Sequence, residues 1–217
     1  RAFVEAAVEH GSCDTTGREN FKLVYTPIHG TSFRAMIPAL DRAGFHYVTV
    51  KEQMVPSGDF PTVQSPNPEN PEALKMATDL AIRENADMVV GTDPDADRVG
   101  IAVRCKDGSY QLLSGNEVGV LLLDYICKGR TENGTMPKAP VCVKSIVSTP
   151  LADVVAAHYG VECRNVLTGF KWIGDQIAGL EAAGEVERFI FGFEESYGYL
   201  AGSYVRDKDA VVGSMLI

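Results

Sequence analysis

Short β-rich runs alternate with amphipathic helical patterns along the chain, the rhythm of α/β layering. The runs FKLVYT (21–26) and HYVTV (46–50) predict strands, with a helix over about 32–43 between them that closes at Gly44. Residues 52–71 hold five of the eleven prolines and predict a long irregular surface loop, of a length that is usually functional or mobile. Pro71 has no N–H to leave unpaired, so it fits the first turn of a helix running to about Asn85. ADMVVGT (86–92) and RVGIAVR (98–104) predict two more strands, and KDGS (106–109) a turn.

A second unit is expected from there on. Ser114 with Glu117 three residues later is a capping box ahead of the apolar helix VGVLLLDYIC. PVCVKSIV, VECRNVL and ERFIFGF predict strands, with one helix opened by Thr149-Pro150 and closed by Gly160 and another over about 170–183. The units are expected at 1–108 and 109–217. The polar stretch 129–139 is the other candidate boundary, but no strand–helix rhythm restarts there, and no close internal repeat is visible. The first residues look like the last turns of a helix, and DKDAVVGSMLI begins an apolar helical pattern that stops without a cap, so both ends look cut.

With 45% hydrophobic and 23% charged residues, the 217-residue chain has ordinary globular composition. Its net charge of −9 argues against nucleic acid as a partner, though a local basic pocket for a small phosphorylated ligand stays compatible with it. The five cysteines (Cys13, Cys105, Cys127, Cys142, Cys163) form no CxxC pair, which speaks against a zinc ribbon; most are expected as buried thiols of a reducing compartment. No run approaches the ~20 apolar residues of a membrane span and no signal peptide is visible, so the expectation is a cytoplasmic protein without membrane contact.

Candidate chemistry concentrates in GTDPDADRVGIAV (91–103), where Asp93, Asp95 and Asp97 stand two apart. In extended backbone such side chains point the same way, and three clustered carboxylates repel unless a cation or protons intervene. Hard oxygen ligands suit magnesium or calcium. An EF-hand needs Gly sixth and Glu twelfth, where this chain has Arg98 and Arg104. A lone DxD is more often a solvated acidic turn, but Arg98 sets a fixed cation beside the cation site, which serves an anion bridging both, such as a phosphate. In FGFEESYGYLAG (191–202), Glu194 and Ser196 could bond adjacent hydroxyls; a strand with a polar turn is the plain alternative. Thr168-Gly169 precede a predicted helix, whose open N–H groups favour anions. Phe170 and Trp172 are expected in the core, and His29 in TPIHGT as a residue fixing a turn rather than a catalytic base.

These motifs resemble the α-D-phosphohexomutases, the phosphoglucomutases and phosphomannomutases. The metal loop of that family is Asp-Gly-Asp-x-Asp-Arg, which DPDADR matches except that Pro94 replaces Gly, a variant similar to the phosphoglucomutase and phosphopentomutase branch. The resemblance implies two similar three-layer α/β units, each a mixed sheet packed with helices, corresponding to the second and third of four domains. It implies that Asp93, Asp95 and Asp97 hold Mg2+, that Arg98 faces the phosphate, and that Glu194 and Ser196 bind the sugar while Glu195 points away. Thr168, Gly169 and Lys171 would line the substrate cleft. VRDKDA resembles the segment whose lysine reaches the substrate, so Lys208 becomes a candidate for phosphate contact or proton transfer; by pattern alone a solvated lysine is as good an account.

The Ser-His-Asn-Pro loop and the Arg-x-Ser-Gly-Thr-Glu-Pro clamp of the first and fourth domains are absent. SPNP (65–68) only mimics the former, and Ser65 is not read as a nucleophile. The expected activity is therefore that of an intact polypeptide with those two domains: exchange of phosphate between glucose 1-phosphate and glucose 6-phosphate by way of a phosphoserine and a bisphosphate, the present chain being inactive alone. The rival readings are a DxD glycosyltransferase using manganese and a nucleotide sugar, or a non-catalytic phosphosugar or metal-binding module.

Overall fold

The computed structural model describes residues 1–12 and 14–217; the thiol expected at Cys13 lies outside the described residues. The first sheet contains β1 (Lys22–Thr26), β2 (His46–Thr49), β3 (Met88–Thr92), β4 (Val99–Arg104) and β5 (Tyr110–Leu112), in the order β2-β1-β3-β4-β5. β1 runs parallel to β2 and β3, while β4 and β5 are antiparallel to their neighbours. The second sheet contains β6 (Val141–Ser145), β7 (Glu162–Val166), β8 (Phe189–Glu194) and β9 (Gly198–Leu200), in the order β7-β6-β8-β9. Here β6 is parallel to β7 and β8, and β9 returns antiparallel.

Both sheets thus order their first four strands as second, first, third, fourth, with the same directions. The two units repeat each other in topology without repeating in sequence. In each, the third strand hairpins into the antiparallel fourth, and that hairpin carries a candidate motif: Asp93–Arg98 between β3 and β4, Glu195–Tyr197 between β8 and β9. Both hairpins sit at the carboxyl ends of the parallel strands, where α/β sheets collect their ligands.

Among the described residues, seven helices cover the sheets: α1 (Ala2–His10), α2 (Phe33–Ala43), α3 (Lys75–Glu84), α4 (Gly115–Glu132), α5 (Leu151–His158), α6 (Lys171–Ala182) and α7 (Ala210–Leu216). The caps follow the sequence closely. Gly44 turns left-handed at φ 76° and its N–H returns to the last carbonyls of α2. Ser114 and Glu117 form the complete capping box of α4.

Two expectations need correction. The helix expected from Pro71 begins at Lys75, because residues before it close tight turns of their own: the Asn70 N–H donates to Asn67 O, the Ala73 N–H to Asn70 O, and the Glu69 N–H to the Asn67 side chain. Tyr110–Leu112 completes the first sheet by pairing with β4. Trp172 is 37% exposed with the Lys171 ammonium over its ring, whereas Phe170 is buried. Cys127 and Cys142 are buried; Cys105 and Cys163 are half-buried.

One face of the first sheet, through Val24, Val89 and Ala102, packs with Leu74, Ala77 and Ala81 in a small separate core. The other face joins Tyr25, Val90 and Ile101 to Met36 and Leu40 of α2, Leu122 of α4, Phe191, Phe193 and Tyr199 of the second sheet, and Val211 of α7 in one continuous cluster. α7 contacts α1, α2, β4 and β9, so the last helix of the second unit closes over the first.

Close packing between α4 and β8 depends on Gly119, where a Cβ would overlap the Phe193 ring. Gly119→Ala is expected to cost about 1–3 kcal/mol by overpacking. Gly179→Ala on α6, where a Cβ meets nothing within 4 Å, is expected to stabilise by up to about 1 kcal/mol through helix propensity. Chemical denaturation of the two variants measures both.

Candidate active site

Asp93 leaves β3 and the chain turns at once: the Ala96 N–H donates to Asp93 O at 3.1 Å, with Ala96 left-handed at φ 66°. The carboxylates therefore converge through a tight turn rather than by the alternation of extended backbone. The result is nevertheless a cluster: Asp93, Asp95 and Asp97 each offer an oxygen within 4.8 Å of the others. Three hard carboxylates on a turn of this kind fit a small divalent cation, with Asp95 exposed and open to it.

Asp93 is fully buried and is the anchor of the loop. Its Oδ1 accepts the N–H groups of Asp97 (3.0 Å) and Arg98 (2.9 Å), and its Oδ2 accepts Arg98 Nε at 2.7 Å. Burial pushes its carboxyl up to about 6, against the downward pull of the Arg98 hydrogen bonds. Arg98 also lies 3.7 Å from Asp97 and 3.5 Å from Glu69, a residue of the Pro-rich loop. That loop folds over the hairpin closely enough that a Cβ on Gly100 would press on Pro68.

The second hairpin meets the first tip to tip. The Val99 N–H donates to Tyr197 O at 3.1 Å, and Arg98 and Gly198 form an antiparallel bridge between the sheets. The start of α7 adds two more ties: the Ala210 N–H donates to Ala96 O at 3.1 Å, and Lys208 Nζ donates to Asp97 Oδ2 at 2.5 Å. Burial alone would lower the Lys208 ammonium, but the Asp97 carboxylate more than offsets it and holds it above its ordinary value. The lysine stem lies across Gly198, the one residue type that leaves it room. Asp209 fixes the segment by capping α7 at the Val211 N–H (2.8 Å) and through its own N–H to Tyr199 O (2.9 Å).

Glu194, almost fully buried at the end of β8, accepts the Gly169 N–H at 2.7 Å, and burial raises its carboxyl above the ordinary range. The Gly169 donor expected for an anion is thus already engaged by the Glu194 carboxylate. Ser196 is half-buried on the same hairpin, and Thr168 is exposed beside Gly169. Lys171 is exposed and turned to Trp172. Glu195 faces the opposite way from Glu194, toward Ser145 and Ser148.

Residues 1–108 match the model of phosphoglucomutase/phosphomannomutase, alpha/beta/alpha domain II, and residues 114–217 that of domain III. The chain belongs to the phosphoglucomutase/phosphomannomutase family. It is 41% identical over 198 residues to the phosphoglucomutase of Staphylococcus epidermidis, covering 91% of this chain and 35% of that protein. It is 40% identical over 195 residues to that of Staphylococcus aureus, covering 89% and 34%. The chain thus spans about a third of the length of the curated relatives it matches. Among solved structures, a phosphoglucomutase/phosphomannomutase family protein of Burkholderia thailandensis superposes with TM-score 0.74 at 20% identity, over 99% of this chain and 42% of that one. The Aspergillus fumigatus N-acetylphosphoglucosamine mutase in complex with GlcNAc-6P and magnesium gives 0.60 at 15%, over 98% and 48%.

Within this phosphohexomutase fold the hairpin with the expected metal loop and Arg98 meets the hairpin that follows Glu194 and carries Ser196, Lys208 joins them through Asp97, and the Lys171 ammonium lies over the Trp172 ring. His29 fixes a turn, as expected: it is buried, left-handed at φ 62°, and bonded at 2.9 Å to both Val55 O and Thr62. Glu69, Gly198 and Asp209 were not apparent beforehand. The capping pattern of an Asp ahead of an apolar run could have marked Asp209; nothing in the sequence marks Glu69 as a neighbour of Arg98.

Two outcomes follow for manganese binding followed by electron paramagnetic resonance. An ion competes with the proton on Asp93, so affinity is expected to rise from pH 5 to 7, as a carboxyl held near 6 ionises, and to level off above. Lys208→Met removes the ammonium paired with Asp97 and is expected to tighten binding by about fivefold, the worth of a partly exposed ion pair near 1 kcal/mol; unchanged or weaker binding would contradict the geometry.

Proposed function

We propose that the chain is the metal- and sugar-binding middle part of a cytoplasmic, magnesium-dependent mutase interconverting glucose 1-phosphate and glucose 6-phosphate. Residues 1–108 form its metal-binding unit and residues 109–217 its sugar-binding unit. The phosphoserine that gives and recovers the phosphoryl group belongs to a first domain, and a phosphate clamp to a fourth. The observation that carries this reading is the junction itself: three converging carboxylates with a guanidinium, tied through backbone bonds to a hairpin bearing Glu194 and Ser196. The magnesium of the Aspergillus mutase complex and the name of the staphylococcal relatives support the choice of ion and sugar.

Asp93, Asp95 and Asp97 would hold the magnesium, which when bound offsets charge on the phosphoryl oxygens. Arg98, fixed by Asp93, presents its remaining donors to phosphate. Glu194 accepts from a sugar hydroxyl and Ser196 bonds the next one, in either orientation of the sugar. Lys208 reaches from the foot of α7 to contact phosphate or to carry a proton. Thr168 and Gly169 edge the cleft through the bond between Gly169 and Glu194, and Lys171 contributes charge at its rim.

The test is calorimetric titration of the 217-residue chain with glucose 1-phosphate and glucose 6-phosphate in magnesium. Binding of both, weakened about tenfold or more by Arg98→Ala, which removes charge-assisted bonds worth about 1.5–3 kcal/mol each, is the expected result, with no turnover by the chain alone. Binding of a nucleotide sugar with manganese, and of neither hexose phosphate, would sink the proposal.

A further inference from the structure

We propose that Glu195, with Ser145 and Ser148, is a positioning clamp that sets the geometry of the sugar-facing pair Glu194 and Ser196; the inference rests on the sugar-binding reading of that pair. The two facing residues flank a third whose side chain is committed elsewhere. Glu195 Oε2 accepts the Ser145 hydroxyl at 2.6 Å and the Ser148 hydroxyl at 3.1 Å, and the Glu195 N–H donates to Ser148 Oγ at 3.2 Å. The two serine oxygens are 2.8 Å apart, and both residues are buried. A carboxylate is an acceptor at both oxygens, so it suits two hydroxyl donors converging on one point.

The serines are themselves held. Ser145 ends β6 and Ser148 closes a turn onto it, its N–H donating to Ser145 O at 3.0 Å, and the next residue, Thr149, donates its N–H to the Asn116 side chain on α4 at 2.9 Å. From the other side, α4 begins with Gly115, where a Cβ would overlap the Glu195 carbonyl. Tyr199, one strand residue past the hairpin, donates its hydroxyl to Gly115 O at 3.3 Å. The backbone of Glu195 is therefore pinned from β6 and from α4 together.

Glu194 ends β8 with its carboxylate held by the Gly169 N–H, so committing the next side chain to Ser145 and Ser148 fixes the start of the turn that carries Ser196. The same backbone continues to Tyr197 O, which accepts the Val99 N–H, so the clamp also registers the sugar hairpin against the metal hairpin. The negative charge of Glu195 is not needed for this; its acceptor oxygen is.

The test uses the 217-residue chain and three readouts: affinity for glucose 1-phosphate in magnesium, hydrogen exchange of residues 194–198, and melting temperature. Glu195→Ala and Ser145→Ala are each expected to weaken binding by about tenfold, the loss of a hydrogen bond to a charged group, and to speed exchange in the hairpin while leaving β3 protected. The double variant should be no weaker than either single one, since both remove one clamp. Glu195→Gln keeps an acceptor without charge and should restore binding. Affinity and exchange within twofold of wild type in Glu195→Ala would overturn the inference. So would failure of Glu195→Gln to recover, which would assign the effect to charge. If Glu195→Ala does not fold, Ser145→Ala and Glu195→Gln decide by the same criteria. Absence of any hexose-phosphate binding by the wild-type chain would instead remove the sugar-binding reading and this inference with it.

Discussion

The backbone hydrogen bond from Val99 to Tyr197 is the contact on which the arrangement turns. Each sheet by itself offers only a hairpin with a few polar side chains, one acidic and one mixed. The bond makes the two hairpins neighbours in a short antiparallel bridge, and one continuous core joins the sheets beneath it. Side-chain bonds alone would hold such a junction weakly, since exposed ion pairs contribute little. A peptide bond pair in a packed setting fixes distance and direction at once. The foot of α7 then adds a third element, so the charged groups of the junction arrive from the two hairpins and from the start of α7.

Charge balance at that junction is local and dense. Asp93 is withdrawn from water and compensated by a guanidinium and two N–H groups; Asp97 is compensated by an ammonium that belongs to the other unit. Among the described residues no buried side-chain polar atom lacks a partner, so the acidic cluster is accommodated rather than strained. The compensation is uneven, however: Asp95 stays exposed, and the cluster presents its negative side outward at that residue.

Much of the fold was legible because strand and helix periods are written in single residues: Gly44, the Ser114–Glu117 box and the β-rich runs all placed their elements. The short strands β5 and β9 were not, since three residues carry no period and their pairing is decided by the partner strand. The aspartates, Arg98, Glu194 and Ser196 stood out because unlike chemistry was packed into one short motif. What the motifs could not convey was how they meet. That Gly169 already serves Glu194, that Lys208 rests on Asp97, and that Glu69 leans on Arg98 are long-range pairings, set by sheets whose likeness in order leaves no trace in sequence.

Pro94 stands where similar metal loops carry glycine, and the structure gives the exchange a physical meaning. The loop uses only the carbonyl of this residue, which accepts the Thr31 N–H at 2.9 Å and the Thr31 hydroxyl at 3.1 Å, and it follows Asp93 at the first corner of a turn. A pyrrolidine ring already holds the dihedral that such a corner requires. The ring also restricts the unfolded chain, lowering the conformational entropy that is lost on closing the turn. Mutual repulsion among the acidic groups then works against a stiffer hinge than glycine would provide, and the turn keeps its shape through covalent rigidity.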